Sequence, residues 1–114
     1  MCDLGNHETL DSNIVSFFEK AVQEADGQLD HVAYTAGDAL SITPLEKTTL
    51  ERIQQAGTVR FNAPLIVARE AAKYFKKSNT SSYTITTGPV SEKPHQDWVI
   101  VGSYAGGNHT MARA

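Results

Sequence analysis

Cysteine is almost absent from this sequence, which contains a single thiol at Cys2. One cysteine excludes a disulfide framework and a cysteine-based zinc site. Long apolar runs are absent too: no stretch approaches the ~20 residues that a membrane helix needs, and residues 1–6 lack the features of a signal peptide. A net charge of −3 argues against a nucleic-acid partner. We therefore expect a soluble, cytoplasmic chain without nucleic-acid or membrane partners.

The length of the chain suits one domain. Its 114 residues, 40% of them hydrophobic, can bury roughly 65% of their unfolded surface. Residues 1–30 hold seven acidic side chains and one basic one, whereas residues 31–114 hold six acidic and nine basic ones. This asymmetry fits either a solvated acidic helix face or the steering of an anionic ligand towards the later segment. The four histidines lack the spacing of metal ligands, so we expect no metal site.

Hydrophobic periodicity predicts alternating helices and strands. Residues 10–25 carry an apolar stripe with helical spacing, and Gly27 suits the left-handed position that ends a helix. Two short segments, residues 29–35 and 82–87, are typical of buried strands. Helical patterns also cover residues 43–57, 61–77 and 98–114. The order helix, strand, helix, strand, helix predicts an α/β chain with a parallel sheet.

Several residues predict where helices begin or break. Thr43 and Pro44 are followed by Glu46, a combination typical of a capped helix start. Pro64 lies inside a helical pattern and predicts a lost backbone hydrogen bond or a restart. Asp97 is a candidate cap for the last helix. Trp98 either shapes a loop over a pocket or anchors that helix.

The segment of residues 29–37 resembles a strand and turn of the short-chain dehydrogenase/reductase family. The start at Thr43, the strand around residues 82–88 and the ending at residues 111–114 resemble that family in the same order, so the likeness covers essentially the whole chain. It implies that residues 1–114 form a partial Rossmann-like domain, a segment of a doubly wound parallel sheet in three α/β/α layers. It also implies an NAD(P) cofactor and a ligand site at the carboxyl ends of the strands, near Gly37, Thr87 and Pro89.

Catalysis in that family requires a tyrosine, a lysine, a serine and an asparagine that together protonate the alkoxide of hydride transfer. Position by position, the resemblance puts the serine at Thr87, the tyrosine at Ile100 and the lysine at Tyr104. The asparagine falls near Thr58, with Asn62 as a shifted substitute. The candidate catalytic residues are thus Thr87, Tyr104 and Thr58, with Tyr104 read either as a displaced acid or as a packing residue.

The family's cofactor contacts are represented only in part. The resemblance implies contacts from Asp3, Leu4, Ala36 and Gly37, although Asp3 also fits an ordinary terminal residue and Gly37 an ordinary tight turn. The family seats the pyrophosphate on a Gly-x-x-x-Gly-x-Gly turn, and these 114 residues contain none. We therefore expect weak binding of NAD(P).

Three functional hypotheses follow from this pattern. The first is a protein of NAD(P)-dependent oxidoreductase lineage with weak or no redox activity, which is a pseudoenzyme if that activity is lost. The second is a non-catalytic binding or assembly module. The third is an isomerase or cyclase that uses the pocket without a redox step. In each case we expect a small-molecule ligand at most and a homo-oligomer or a fold completed by a partner, because the strands lack flanking neighbours.

Overall fold

The computed structural model describes residues 2–75, 80–88, 90, 92, 93 and 95–113, so the predicted site residue Pro89 lies outside them. Within these residues, four α-helices and two strands follow one another. They are α1 (Leu10–Glu24), β1 (His31–Tyr34), α2 (Leu50–Gly57), α3 (Ala63–Tyr74), β2 (Ser82–Ile85) and α4 (Val99–Arg113). A short 3-10 helix (Leu45–Lys47) and a π-helical turn (Thr58–Asn62) lie on either side of α2. The predicted alternation of helix and strand is confirmed.

The two strands form a parallel sheet. His31 pairs with Ser82 at one end of the ladder, and Tyr34 pairs with Ile85 at the other. The Thr86 N–H extends the pairing by donating to the carbonyl of Tyr34 at 3.1 Å. Parallel strands need a crossover between them, and α2 and α3 provide it. The arrangement is a partial Rossmann-like α/β segment, as the sequence predicts.

The core lies between α1, α3 and the sheet. Residues Leu10, Ile14 and Phe18 form one buried stripe on α1, and they pack against α3 and Tyr34. Beyond the last turn, the Gly27 N–H donates to the carbonyl of Val22 at 2.8 Å, with φ +88° at Gly27. The predicted first helix and its glycine ending are therefore confirmed.

The predicted start of the next helix at Thr43 is wrong. Thr43 is buried and forms a parallel bridge with Trp98, and its hydroxyl accepts a hydrogen bond from the Arg52 guanidinium at 3.0 Å. The cap of α2 is Thr49, whose hydroxyl accepts the Arg52 N–H at 3.2 Å. Pro44 is followed only by the short 3-10 helix. Thr43 does not cap an α-helix there, because its backbone and its hydroxyl are engaged in the tertiary contacts just described.

Pro64 marks a helix restart, one of the two outcomes predicted for it. The Ala63 N–H donates to the carbonyl of Thr58, which closes the π-helical turn, and Pro64 has no N–H. In a regular helix the Val59 carbonyl would accept the N–H of residue 63 and the Arg60 carbonyl that of residue 64; here the Ala63 N–H goes to Thr58 and Pro64 has none. Side chains from elsewhere replace these donors: the Tyr34 hydroxyl donates to the Val59 carbonyl, and the Asn108 amide donates to the Arg60 carbonyl at 2.9 Å.

Helix α4 begins one residue later than predicted. The first helical carbonyl is that of Trp98, which accepts the Gly102 N–H at 2.8 Å. Asp97 precedes it with φ +65°, so the prediction that Asp97 caps this helix is wrong. The Asp97 carbonyl instead accepts the Thr43 N–H at 2.9 Å, which holds the start of α4 beside the 3-10 turn. None of the helices within the described residues is long and apolar enough to cross a membrane.

Candidate functional site

A cavity of about 420 Å³ opens at the carboxyl ends of the two strands. The carboxyl ends of parallel strands meet at one edge of a sheet, and open α/β sheets bind ligands there. The walls are the turn after β1, the segment after β2 and the inner face of α4. They include Thr35, Ala36, Gly37, Leu40, Arg60, Thr86, Thr87, Gly88, Val90, His95, Trp98, Val101, Tyr104 and Asn108. Most of the lining is apolar, which suits a small organic ligand.

The structure brings four of the predicted site residues to this cavity. Ala36 and Gly37 line it from β1, Thr87 from the end of β2, and Tyr104 from α4. Thr58 does not line it: this side chain is buried, and its hydroxyl donates to the carbonyl of Gln54 at 3.0 Å. The roles that the resemblance implies for these residues stay predictions, but Thr58 has neither the position nor a free hydroxyl for a proton relay.

Ile100, whose hydrocarbon side chain is buried, occupies the position of the family's catalytic tyrosine. Ile100 is 4% exposed and is not part of the cavity wall. Tyr104 reaches the wall, but its hydroxyl donates to the carbonyl of Ile53 at 2.6 Å. Burial raises the pKa of the Tyr104 phenol, and no cation faces it to lower that pKa. This hydrogen bond joins α4 to α2 and favours the packing role of Tyr104, and its role as a displaced acid stays a prediction.

The second tyrosine of the cavity is engaged as well. The Tyr34 hydroxyl donates to the carbonyl of Val59, and burial together with the charge of Asp38 raises the pKa of this phenol to about 12. Arg60 is the cation of the wall, and its guanidinium pairs with the Asp38 carboxylate at 3.0 Å. The same guanidinium donates to the Asp38 carbonyl. Because Asp38 already compensates the charge of Arg60, this side chain would bind a phosphate only weakly.

The cavity wall also contains Trp98, which the sequence predicts either to shape a loop over a pocket or to anchor the last helix, and two residues that the sequence pattern did not identify, His95 and Asn108. The rings of His95 and Trp98 lie 5.5 Å apart, centre to centre. Asn108 is 9% exposed and lies on α4. The periodicity of α4 gives no signal for a functional amide at this position. Only its contacts with distant residues distinguish it.

The predicted cofactor residues do not form one site. Leu4 lines a second cavity of about 230 Å³ on the side of the sheet facing α1, whereas Gly37 lines the first, and Ala36 lies on the wall of both. Asp3 is exposed, and its carboxylate accepts the Gly5 N–H at 2.9 Å. The cation of the wall, Arg60, is already paired with Asp38. With that pairing and no Gly-x-x-x-Gly-x-Gly turn among these 114 residues, the residues present do not fit the pyrophosphate of a dinucleotide.

Metal binding has no structural support in the part of the chain that the structure describes. No group of three or more histidine, cysteine, aspartate or glutamate side chains lies close enough together to hold an ion.

Comparison with known proteins gives consistent matches. The family model of the SDR-like Rossmann domain matches residues 1–114. The short-chain dehydrogenase/reductase fsr5 of Gibberella fujikuroi (strain CBS 195.34 / IMI 58289 / NRRL A-6831) is 45% identical over 112 residues, which are 98% of this chain and 42% of that protein. The chain thus spans about two fifths of this relative's length.

Solved structures show the same fold. The MalC reductase/Diels-Alderase from Malbranchea aurantiaca superposes with a TM-score of 0.86 at 35% identity, over 98% of this chain and 42% of that one. The angucycline C-6 ketoreductase LanV with bound NADP superposes with a TM-score of 0.81 over 97% of this chain and 42% of its own. At 18% identity, the likeness to LanV concerns the fold alone.

Proposed function

Because the chain belongs to the short-chain dehydrogenase/reductase family, we propose that its strand-end cavity is a small-molecule site of NAD(P)-dependent oxidoreductase lineage with weak or no redox activity. The ligand is a largely apolar organic molecule, since apolar side chains dominate the wall. The exposed polar groups of the wall include the hydroxyls of Thr86 and Thr87, which follow β2.

One observation carries the proposal: no phenol in the cavity is free to protonate a substrate. Ile100 occupies the position of the family's tyrosine and has no proton to give. The hydroxyls of Tyr34 and Tyr104 donate to backbone carbonyls, and both phenols have raised pKa values. Loss of general acid catalysis alone typically slows a reaction by ~10²–10⁴-fold.

Weak cofactor binding is the second part of the proposal. Relatives of this fold such as LanV bind NADP, but Arg60 is paired with Asp38 and the 114 residues contain no Gly-x-x-x-Gly-x-Gly turn. We expect calorimetry with NADH and NADPH to detect no micromolar binding. A dissociation constant near 1 μM, on the order of −8 kcal/mol, would contradict this part of the proposal.

A fluorescent side chain in the cavity wall makes ligand binding measurable. Trp98 is the single tryptophan of the chain and lines the cavity, so its fluorescence responds to a ligand that enters. We expect aromatic ketones to quench this fluorescence in a saturable way. With NADPH present, we expect the same ketones to leave the absorbance of the reduced nicotinamide unchanged. Sustained loss of that absorbance in proportion to enzyme would overturn the proposal, as would the absence of saturable quenching.

A non-redox cyclisation is the second candidate function. MalC, 35% identical to this chain, is described as a reductase/Diels-Alderase, and a cycloaddition needs neither a hydride nor a proton donor. An apolar cavity supports such a reaction by holding two reacting groups close together. The test is product analysis after incubation of a substrate that contains a diene and a dienophile, without nicotinamide. Accelerated formation of one stereoisomer supports this function, and a rate and product ratio equal to the uncatalysed reaction excludes it for that substrate.

An assembly role is the remaining alternative, and it rests on exposed apolar side chains. Phe17, Leu45, Leu50 and Leu65 are each about half exposed or more, and within the described residues the sheet has only two strands. Unpaired strand edges and apolar surfaces of this kind favour association. We propose a homo-oligomer or a fold completed by a partner. Its test is the light-scattering measurement described in the Discussion.

A further inference from the structure

The side-chain amide of Asn108 has a fixed orientation in the wall of the strand-end cavity. Its Nδ2 donates to the carbonyl of Arg60 at 2.9 Å. That carbonyl lacks a regular helical donor because Pro64, four residues later, has no N–H. Rotating the amide by half a turn would bring Oδ1 against the Arg60 carbonyl, oxygen against oxygen. The amide nitrogen therefore has to face Arg60, and the position of Oδ1 follows from that.

The oxygen of this amide has no partner. Asn108 is 9% exposed, and Oδ1 is buried without a hydrogen bond to any described residue. Buried acceptors in folded proteins are nearly always paired, so an orphaned one in a cavity wall marks a place where another molecule supplies the donor. Asn108 is a lining residue of the cavity, so a donor would approach the buried Oδ1 from that side, with a small shift of the neighbouring wall side chains to admit it.

Three other polar side chains of the wall are already engaged as donors. The Tyr34 and Tyr104 hydroxyls donate to the carbonyls of Val59 and Ile53, and the Arg60 guanidinium is held by Asp38. Among the described residues of the wall, Asn108 Oδ1 is the buried side-chain acceptor without a hydrogen bond. The ring of Trp98 adds a flat apolar surface to the same wall.

We propose that Asn108 is the specificity-determining residue of this cavity and that its Oδ1 accepts a hydrogen bond from an N–H or O–H group of a flat, mostly apolar ligand. The inference rests on the proposed function, since it takes the cavity to be a small-molecule site. It goes further by naming the chemical feature that is selected. A ligand whose polar group is only an acceptor gains nothing from Asn108.

The test uses two probes that differ in one donor. The probe 1-naphthol has a hydroxyl that donates, and 1-methoxynaphthalene has the same ring system without a donor. We expect calorimetry to show that the chain binds 1-naphthol about threefold to tenfold more tightly, the range of one net hydrogen bond. In Asn108→Leu this preference should disappear, whereas Ser103→Ala, which removes a hydroxyl from the exposed side of α4, should retain it.

A second measurement covers the case in which Asn108→Leu does not fold. In the unaltered chain, the carbon-13 shift of the Asn108 side-chain carbonyl should move on addition of 1-naphthol and stay in place with 1-methoxynaphthalene. Equal affinity for both probes, or an unmoved Asn108 carbonyl on saturation with 1-naphthol, would overturn the inference and leave the proposed cavity function standing. Failure of both probes to bind would overturn the cavity function and the inference together.

Discussion

Replacing Gly57 by alanine tests how closely α2 and α4 pack beside the cavity. Gly57 has φ −81° and ψ −18°, so its backbone already suits alanine. In an ordinary helix this change stabilises a protein by about 1 kcal/mol. Here a Cβ at position 57 would lie 2.5 Å from both Cζ and the hydroxyl oxygen of Tyr104. Such a contact is too short to persist, so the ring of Tyr104 or the helix has to move.

The cost of that movement exceeds the gain in helix propensity. Overfilling a packed site typically costs ~1–3 kcal/mol. Displacing the ring also breaks the 2.6 Å hydrogen bond from the Tyr104 hydroxyl to the Ile53 carbonyl, which is worth about 1 kcal/mol. That loss offsets the helix-propensity gain of about 1 kcal/mol. We therefore expect Gly57→Ala to lower the free energy of unfolding by about 1–3 kcal/mol.

Urea unfolding followed by Trp98 fluorescence and circular dichroism measures this change. Two controls isolate its cause. Gly106→Ala in α4 places a Cβ with no neighbour within 4 Å and should stabilise by about 0.5–1 kcal/mol. Gly57→Ala in a Tyr104→Leu background should lose its destabilising effect, because the ring is gone. If Gly57→Ala alone is as stable as the unaltered chain, the close packing of α2 on α4 is refuted.

Three further predictions concern stability, activity and association. The Lys73 ammonium and the Arg69 guanidinium hold the pKa of the buried Glu70 carboxyl below its ordinary 4.5. The stabilisation therefore exists in full above pH 4.5 and is lost as the pH falls through the lowered pKa, so Glu70→Gln should cost about 1–2 kcal/mol in urea unfolding at pH 7 and progressively less as the pH is lowered below 4.5. Ile100→Tyr combined with Tyr104→Lys should restore no nicotinamide-dependent turnover of ketones by these 114 residues, because they contain no Gly-x-x-x-Gly-x-Gly turn for the pyrophosphate, and measurable turnover would contradict this. Light scattering across a dilution series should show self-association or aggregation, and a compact 12.4 kDa particle at low micromolar concentration would refute it.

Local sequence patterns determined much of the fold. The apolar stripe of α1 and the glycine that follows it lie within about 18 neighbouring residues, where periodicity and backbone conformation act directly. The alternation of helices and strands, and hence the parallel sheet, follows from the same local patterns. The lack of a proton donor at position 100 was equally visible in the sequence. Ile100 has no proton to donate in any fold, and only its burial had to be found in the structure.

Contacts between distant residues decided what the sequence pattern left open. Thr43 has the side chain of a helix cap, but its bridge to Trp98 keeps it away from the start of a helix. Thr49 caps α2 instead. The proline in the third helical segment predicts an unpaired carbonyl, yet the donor that satisfies it, Asn108, lies 48 residues from Arg60. Periodicity extends over a few turns of one helix, whereas hydrogen bonds between elements depend on how those elements pack. The start of α2 and the orphaned oxygen of Asn108 were therefore decided by the tertiary structure alone.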